Sequence, residues 1–506
     1  MNPIPSHPVL TSAEAKAWEA RILTDESMEW SAMREAGAKV ALSILDGFKE
    51  IGGLPPQARL LVLAGKGHNG GDALLAAKTI LEKFPQATVD VLLCFGEAAL
   101  RPLARRALDE LRGTGLPARV HAIQLGPEFH ATSYDLCLDG VFGFQFRPPM
   151  DEATAELLAQ VNAHPAIRLR AAVDLPSGVG EASAPTVFRA DFTYATGIVK
   201  SPVILPANAA AVGRLRYVDL GLLDERSAPE ASERMLTEQL LAPLGELRPS
   251  QSDKRTYGHL FVVGGSLSYP GAVVLAVRAA LRSGVGLVTA FVPDKLVPEY
   301  AARHPEAMWV GCPVNSAGGL GQGALALLRE RSARATALLI GPGLGAGAET
   351  IALVTQIVNE VKVPVVLDAD ALRPEVVAAV GSKPFIGTPH AGEYQRIAPA
   401  LSGTPQGVLV LKGPLTRVTD GRMIYYSPFG GPVLARGGSG DILAGLIGGL
   451  LAQKPDDLAL AACRGVVWHG RAADFLARAH GQVTVETSQL LEQLGPALTP
   501  TPWQTH

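Results

Sequence analysis

Cysteine is scarce in this chain of 506 residues: only Cys94, Cys137, Cys312 and Cys463 occur. None forms a CxxC pair or has histidines at zinc-ligand spacing, which argues against a zinc ribbon. The four read as reduced core residues. Long apolar runs are missing too. No stretch of about 18 uncharged apolar residues reads as a membrane span. The start, Met1-Asn2-Pro3-Ile4-Pro5, lacks the basic-then-apolar order of a secretory signal, so a cytoplasmic location is expected. Nor does one sign of charge dominate. Lys and Arg total 45 against 48 Asp and Glu, a formal charge of −3, with no block of like charge. Neither nucleic acid nor a membrane is therefore expected as partner.

What is present is apolar material in short pieces. Hydrophobic residues make up 47%, enough for sizeable cores. The 54 glycines and 38 prolines are spread among apolar segments, unlike a low-complexity chain. The length suits two or three units of ~100–250 residues. From Leu10 to about Ile51 the apolar residues Trp18, Ile22, Met33, Val40 and Ile44 recur at helical spacing, with Thr11 and Glu14 as a capping box. From Arg59 short runs alternate with helical stretches: Leu60 to Leu63, Val89 to Leu93, Leu136 to Leu138, Ala172-Val173. A polar stretch follows, with Asp224-Glu225-Arg226-Ser227 and Arg248-Pro249-Ser250-Gln251-Ser252. A second series then runs through Leu260 to Val263, Val288 to Val292, Ala337 to Ile340, Val365 to Leu367 and Val408 to Leu411. Such alternation signals βα units and mostly parallel sheets. No fixed repeat of about 20–50 residues appears, so two different α/β domains are expected: 1–225, a linker 226–250, and 251–506.

After the strand ending at Ala64 comes Gly65-Lys66-Gly67-His68-Asn69-Gly70-Gly71-Asp72, then a helix from near Ala73. Glycines at a strand-to-helix turn let the backbone approach a ligand, and a helix N-terminus favours an anion. The same turn could serve packing alone. Asp90 lies near the start of the following strand rather than its end, so the usual dinucleotide ribose contact fails, and no GK[ST] follows to make a P-loop. Asp139 to Pro148 and Asp174-Leu175-Pro176-Ser177-Gly178 sit at further strand ends. Ligands of an open parallel sheet bind beyond those ends, so Asn69, Asp139 and Ser177 are candidate oxygen ligands of a cation.

Residues from about 10 to 220 resemble the YjeF N-terminal family of NAD(P)H-hydrate epimerases. The resemblance rests on the Asn69-Gly70-Gly71-Asp72 turn, Asp139 with Phe142-Gly143, Asp174 to Gly178, and Lys200 after Gly197-Ile198-Val199. It implies a Rossmann-like three-layer α/β fold. It also implies potassium on Asn69, Asp139 and Ser177, with the hydrated nucleotide held by His68, Asn69, Gly70, Gly71, Asp72, Gly143, Phe144, Gln145, Phe146, Arg147, Pro148, Pro149 and Asp174. The chain departs from the family at His68, where a second asparagine is usual, and at Gln145, where glycine is usual. Exchange of the C6 hydroxyl through a ring iminium ion would need a nearby carboxylate. Asp174 is the catalytic candidate, with Lys200 behind it.

In the second half, Gly437-Gly438-Ser439-Gly440-Asp441 precedes an apolar helix, Ile442 to Leu451. Successive amides there, with the helix dipole, suit a transferring phosphoryl group, and Asp441 can accept a hydroxyl proton. Lys412-Gly413-Pro414-Leu415-Thr416, Gly341 to Gly345, Leu367 to Leu372 and Thr388 to Glu393 each follow an apolar strand and so share its sheet edge. With Val263 to Ser266 and Tyr269-Pro270-Gly271-Ala272, these resemble the ADP-dependent NAD(P)H-hydrate dehydratases of the ribokinase-like fold, from about 250 to 495. The resemblance implies ADP on Lys412, Gly413, Pro414, Leu415, Thr416 and Gly440, accompanied by Mg²⁺. It places the hydrate against Ala272, Gly343, His390 and the catalytic Asp441. The small-molecule partners are then hydrated NADH and NADPH with ADP, and a homo-oligomer is expected. Two rivals remain: a vitamin-alcohol kinase of the same fold, and an N-terminal half that binds without catalysing.

Overall fold

The computed structural model describes residues 4–113, 120–124, 126–223, 228–401 and 407–503. Met1, Asn2, Pro3 and the run Asp224-Glu225-Arg226-Ser227 lie outside the described residues. The chain divides into two compact units, one built mainly from His7–Ala231 and the other mainly from Ser232–Ala477 and Gln482–Pro500.

The N-terminal unit carries a wholly parallel sheet. Its strand order is Val120–Ala122, Thr88–Leu93, Arg59–Ala64, Tyr134–Gly140, Ile167–Val173, Phe192–Thr196, Arg214–Val218. Alternate residues of one strand enter different cores. Leu60 and Val62 join one cluster with the helix residues Val40 and Ile44, whereas Leu61 and Leu63 join another with Leu157 and Val161. A parallel sheet buried on both faces needs a layer on each side, which gives three layers.

The segment from Leu10 to about Ile51, expected to be helical, is only partly so. Leu10 lies in a short strand and pairs with Lys200. Helices then run over Ser12–Ile22 and Glu26–Lys49. The Thr11–Glu14 capping box is present, and the side chain of Asp25 caps the second helix through the Met28 amide. The helix expected from Ala73 begins earlier, at His68, so the Asn-Gly-Gly-Asp turn is itself the first helical turn. A Cβ on Gly70 would sit 2.2 Å from the Gly65 carbonyl oxygen, which is why that turn can fold so closely onto the strand end.

The C-terminal unit orders its strands Met308–Cys312, Leu287–Pro293, His259–Val263, Ala337–Ile340, Val365–Leu367, Phe385–Gly387, Gly407–Leu411, all parallel. Thr416–Thr419 and Ile424–Ser427 then add antiparallel pairings. The stretch expected as linker is partly sheet: Glu233–Leu236 pairs in parallel with Ile424–Ser427. Four residues are too few to show a strand period, which is why polarity dominated that reading. Leu260 and Val262 face one core, Phe261 and Val263 the other. The helices Pro270–Arg282 and Ser439–Gln453 cross closely because Gly445 carries no side chain; a Cβ there would lie 2.1 Å from the Ala276 carbonyl oxygen.

Cys137, Cys312 and Cys463 are buried and Cys94 partly so, all as free thiols. Among the described residues no helix is long and apolar enough to cross a membrane.

Candidate active sites

In the N-terminal unit the turns at the carboxyl edge of the sheet converge. Asp139 is fully buried, and its Oδ1 accepts from the Ser177 hydroxyl at 2.6 Å and from the Val141 amide at 3.2 Å; Oδ2 accepts from the Ser177 amide at 2.7 Å. Ser177 Oγ in turn accepts from the Phe142 amide at 2.8 Å. Asn69 Nδ2 donates to the Phe142 carbonyl at 2.7 Å, which leaves Asn69 Oδ1 buried with no hydrogen-bond partner. The three residues expected to hold a cation are thus linked through Phe142. Burial pushes Asp139 up to about 6, against the hydrogen bonds from Ser177 and Val141.

A cavity of about 660 Å³ opens beside this network, lined by His68, Asn69, Asp72, Gly143 to Arg147, Pro149 and Asp174. Of the residues expected there, His68 and Gln145 are exposed, and His68 Nε2 lies 3.7 Å from Glu29. Asp174 adopts a left-handed φ of 65°, a costly conformation for a non-glycine residue that the surrounding fold must hold in place. Its Oδ1 accepts from Lys200 Nζ at 2.7 Å. Lys200 is buried, yet its ammonium is held above the ordinary value: burial lowers it, and Asp174 and Glu19 more than offset that. The ammonium also lies 4.8 Å from the Phe144 ring centroid, a cation–π distance. Lys66, Arg101 and Glu19 line the cavity as well. No reading of the sequence had singled them out, because a lone charged residue on a helix or turn looks like a solvated one.

In the C-terminal unit, Asp441 is the third residue of the helix Ser439–Gln453, whose N-cap Gly438 has a left-handed φ of 89°. Burial, then the charge of Asp368, push its carboxyl up to about 7, with Lys412 pulling down. Lys412 Nζ is 3.1 Å from Asp368 Oδ1 and 3.9 Å from Glu393. A Cβ on Gly440 would lie 3.3 Å from that same Nζ, so the lysine and the glycine turn meet. His390 pairs with Lys412 across neighbouring strand ends. Its Nδ1 accepts from the Gly392 and Glu393 amides, which puts the ring proton on Nε2, and the ring is largely exposed. Gly343 and Ala272 also adjoin: a Cβ on Gly343 would be 3.0 Å from that of Ala272. Gly413 and Pro414 are exposed. Asp368, buried and bonded to the Thr388 hydroxyl at 2.6 Å, had been quoted within a motif but given no role.

The family model for NAD(P)H-hydrate dehydratase matches residues 260–496, and that for the YjeF-related protein N-terminus matches 31–201. A bifunctional NAD(P)H-hydrate repair enzyme of Moorella thermoacetica is 34% identical over 494 residues, 91% of each chain. One from Gloeobacter violaceus is 34% identical over 516 residues, 96% of this chain and 97% of its own. Among solved structures, an ADP/ATP-dependent NAD(P)H-hydrate dehydratase of Bacillus subtilis co-crystallised with ATP and Mg²⁺ is 28% identical, covering 52% of this chain and 96% of that one, with a TM-score of 0.42.

Proposed function

This chain belongs to the family of bifunctional NAD(P)H-hydrate repair enzymes, and from that premise we propose which groups carry its two reactions. The observation that carries the proposal is Asp441. It is a carboxyl group balanced near neutrality at the start of a helix, beside a glycine turn and a lysine.

A general base works best when its pKa lies near the operating pH. Hydroxide is a poor leaving group, so direct dehydration of the hydrate is slow. Asp441 takes the proton of the C6 hydroxyl, whose oxygen attacks the terminal phosphorus of ADP. The bond to AMP breaks. The amides of Gly437 to Gly440 stabilise the charge on the moving phosphoryl group, and Lys412, with Gly413 to Thr416, holds the nucleotide. Phosphate then departs with the electron pair of the C6–O bond while the ring nitrogen donates, and loss of the C5 proton restores dihydronicotinamide. Ala272, Gly343 and His390 bound the hydrate side. Among the described residues no cluster of three His, Cys, Asp or Glu is arranged to hold a metal ion. Mg²⁺ would therefore draw its ligands largely from the nucleotide phosphates, whose charge it neutralises.

In the N-terminal unit Asp174 stabilises the ring iminium through which the C6 epimers interconvert, and His68 to Asp72 with Gly143 to Pro149 hold the nucleotide. The unpartnered Asn69 Oδ1 beside the buried Asp139 carboxylate and Ser177 is a set of hard oxygens that fits potassium, which would supply positive charge next to Asp139.

One incubation tests the whole reading: purified protein with mixed hydrate epimers, with and without ADP or ATP. Restored dihydronicotinamide absorbance with free phosphate is expected, consuming both epimers. A persistent phosphate ester would instead favour a kinase of the same fold.

A further inference from the structure

Three of the carboxyl groups lining the N-terminal cavity gather around one buried ammonium, while Lys16, Lys66, Arg101 and Arg147 line the same cavity. Glu19 from the helix Ser12–Ile22, Asp72 from the helix His68–Lys83 and Asp174 after the strand Ile167–Val173 line it together with Lys200. Lys200 Nζ lies 2.7 Å from Asp174 Oδ1 and 3.7 Å from Glu19 Oε1, and donates to the Thr196 carbonyl at 3.1 Å. Three ionised carboxylates packed around this ammonium would repel one another in desolvated space, which favours a proton on one of them. Asp174 touches the ammonium. Asp72 is raised well above the carboxylate range by burial and then by Asp174, and a proton held that tightly is a poor one to transfer. Glu19 is raised too, by burial against the pull of Lys200, but a quarter of its side chain is exposed. It can exchange its proton with water that enters the cavity.

We propose that Glu19 is a further catalytic residue of epimerisation, the acid that protonates the departing C6 hydroxyl and the base that recovers the proton from incoming water. The proposal rests on the epimerase reading of this unit. The C6–O bond breaks with its electron pair going to oxygen, which takes the Glu19 proton and leaves as water. The ring nitrogen lone pair forms the N1=C6 iminium, opposite the Asp174 carboxylate. The planar iminium turns its other face towards Glu19, and water adds to that face of C6 and returns one proton to Glu19, so atoms and charge balance over the cycle. The charged and titratable groups that line the cavity with Glu19 are Lys16 on its own helix, Glu29 on the next, Asp72, Asp174 and Lys200, and on the far turns Lys66, His68, Arg101, Arg147 and Asp151. The carboxyls resist its ionisation and the ammoniums favour it.

The test follows a single hydrate epimer in the absence of nucleotide, by proton NMR, across a pH series. Wild-type kcat should fall at high pH as Glu19 loses its proton. Glu19→Gln should lower kcat by roughly 10²–10⁴-fold with KM little changed, and the alkaline limb should vanish. Glu19→Asp, which still titrates, should restore part of kcat and the limb, whereas Asp72→Asn should raise KM yet keep the limb. Circular dichroism and thermal unfolding that match the wild type confirm that each variant is folded in both units. A wild-type profile without an alkaline limb overturns the proposal, as does a limb or a kcat that survives Glu19→Gln. A wild-type chain that does not interconvert the epimers at all refutes the epimerase reading itself, a distinguishable result.

Discussion

Replacing Asp368 by asparagine perturbs the proposed dehydratase base without touching it. Asp441 is lifted from an ordinary 3.8 to about 7 by burial first and by Asp368 second, with Lys412 opposing and Asp370 adding. The variant removes the like charge. It also frees Lys412, whose Nζ now lies 3.1 Å from Asp368 Oδ1, to face Asp441. Both changes favour ionised Asp441, so its pKa must fall. A like charge in such a site is worth roughly one to three units, and burial remains, so a fall of about one unit is expected, ~1.4 kcal/mol of ionisation free energy. The side chain is isosteric, and the Thr388 hydroxyl, now donating at 2.6 Å, keeps an oxygen to bond. The assay is kcat/KM for ADP-dependent dehydration against pH, because that ratio reports the free enzyme. The acid limb should stand near about 7 in the wild type and about one unit lower in the variant. At about pH 6 the ionised fraction of Asp441 would rise from roughly a tenth to roughly a half, so the variant loses least activity where the wild type is weakest. An acid limb that stays in place, or moves up, would falsify the electrostatic account of Asp441.

Asp441→Ala should lose dehydration by about 10²–10⁴-fold while epimerisation persists, and Asp174→Asn should do the reverse; if either folded variant lost both reactions, the sites would not be separate. Asn69→Leu removes the unpartnered oxygen, so thermal unfolding of the variant should no longer respond to potassium as the wild type does; equal responses would remove Asn69 from the cation site. Gly70→Ala places a methyl 2.2 Å from the Gly65 carbonyl oxygen and should destabilise the N-terminal unit by about 1–3 kcal/mol, read from denaturant unfolding; an unchanged midpoint would contradict the packing described.

The parts of the fold that were legible in the chain are those where apolar period and glycine turn coincide. Each strand quoted from Leu60 to Leu411 has a turn at its carboxyl end, and parallel register brings Lys412 and His390 to one edge; Asp441 reaches them only after the antiparallel strands Thr416–Thr419 and Ile424–Ser427. What was hidden depends on partners far along the chain. Asp368 meets Lys412 across 44 residues, so quoting its motif could not disclose that it tunes Asp441. Glu19 looked like any solvated glutamate until Lys16, Glu19, Ala20 and Leu23 proved to line a cavity as one helix face. The helix break at Leu23-Thr24-Asp25 was masked by apolar residues on both sides that keep a helical period. Asp25, three residues before the amide it caps, was the available signal.

The two edges answer opposite electrostatic demands with the same backbone geometry. At both, a glycine turn opens a helix beyond a parallel strand, and its free amides offer partial positive charge. In the dehydration proposed for the C-terminal unit, negative charge would concentrate on a migrating phosphoryl group, which amides and Lys412 would serve directly, with one carboxyl as base. In the N-terminal unit the reaction places positive charge on the ring, which amides would oppose. Carboxyl groups must therefore gather there, and Glu19, Asp72 and Asp174 do so. Burial first, and their mutual repulsion after it, raises Glu19 and Asp72, so the need to stabilise a cation and the supply of an acid arise from one cluster. A near-neutral chain of formal charge −3 can hold both sites because each imbalance is local and buried, where little counter-ion screening reaches it.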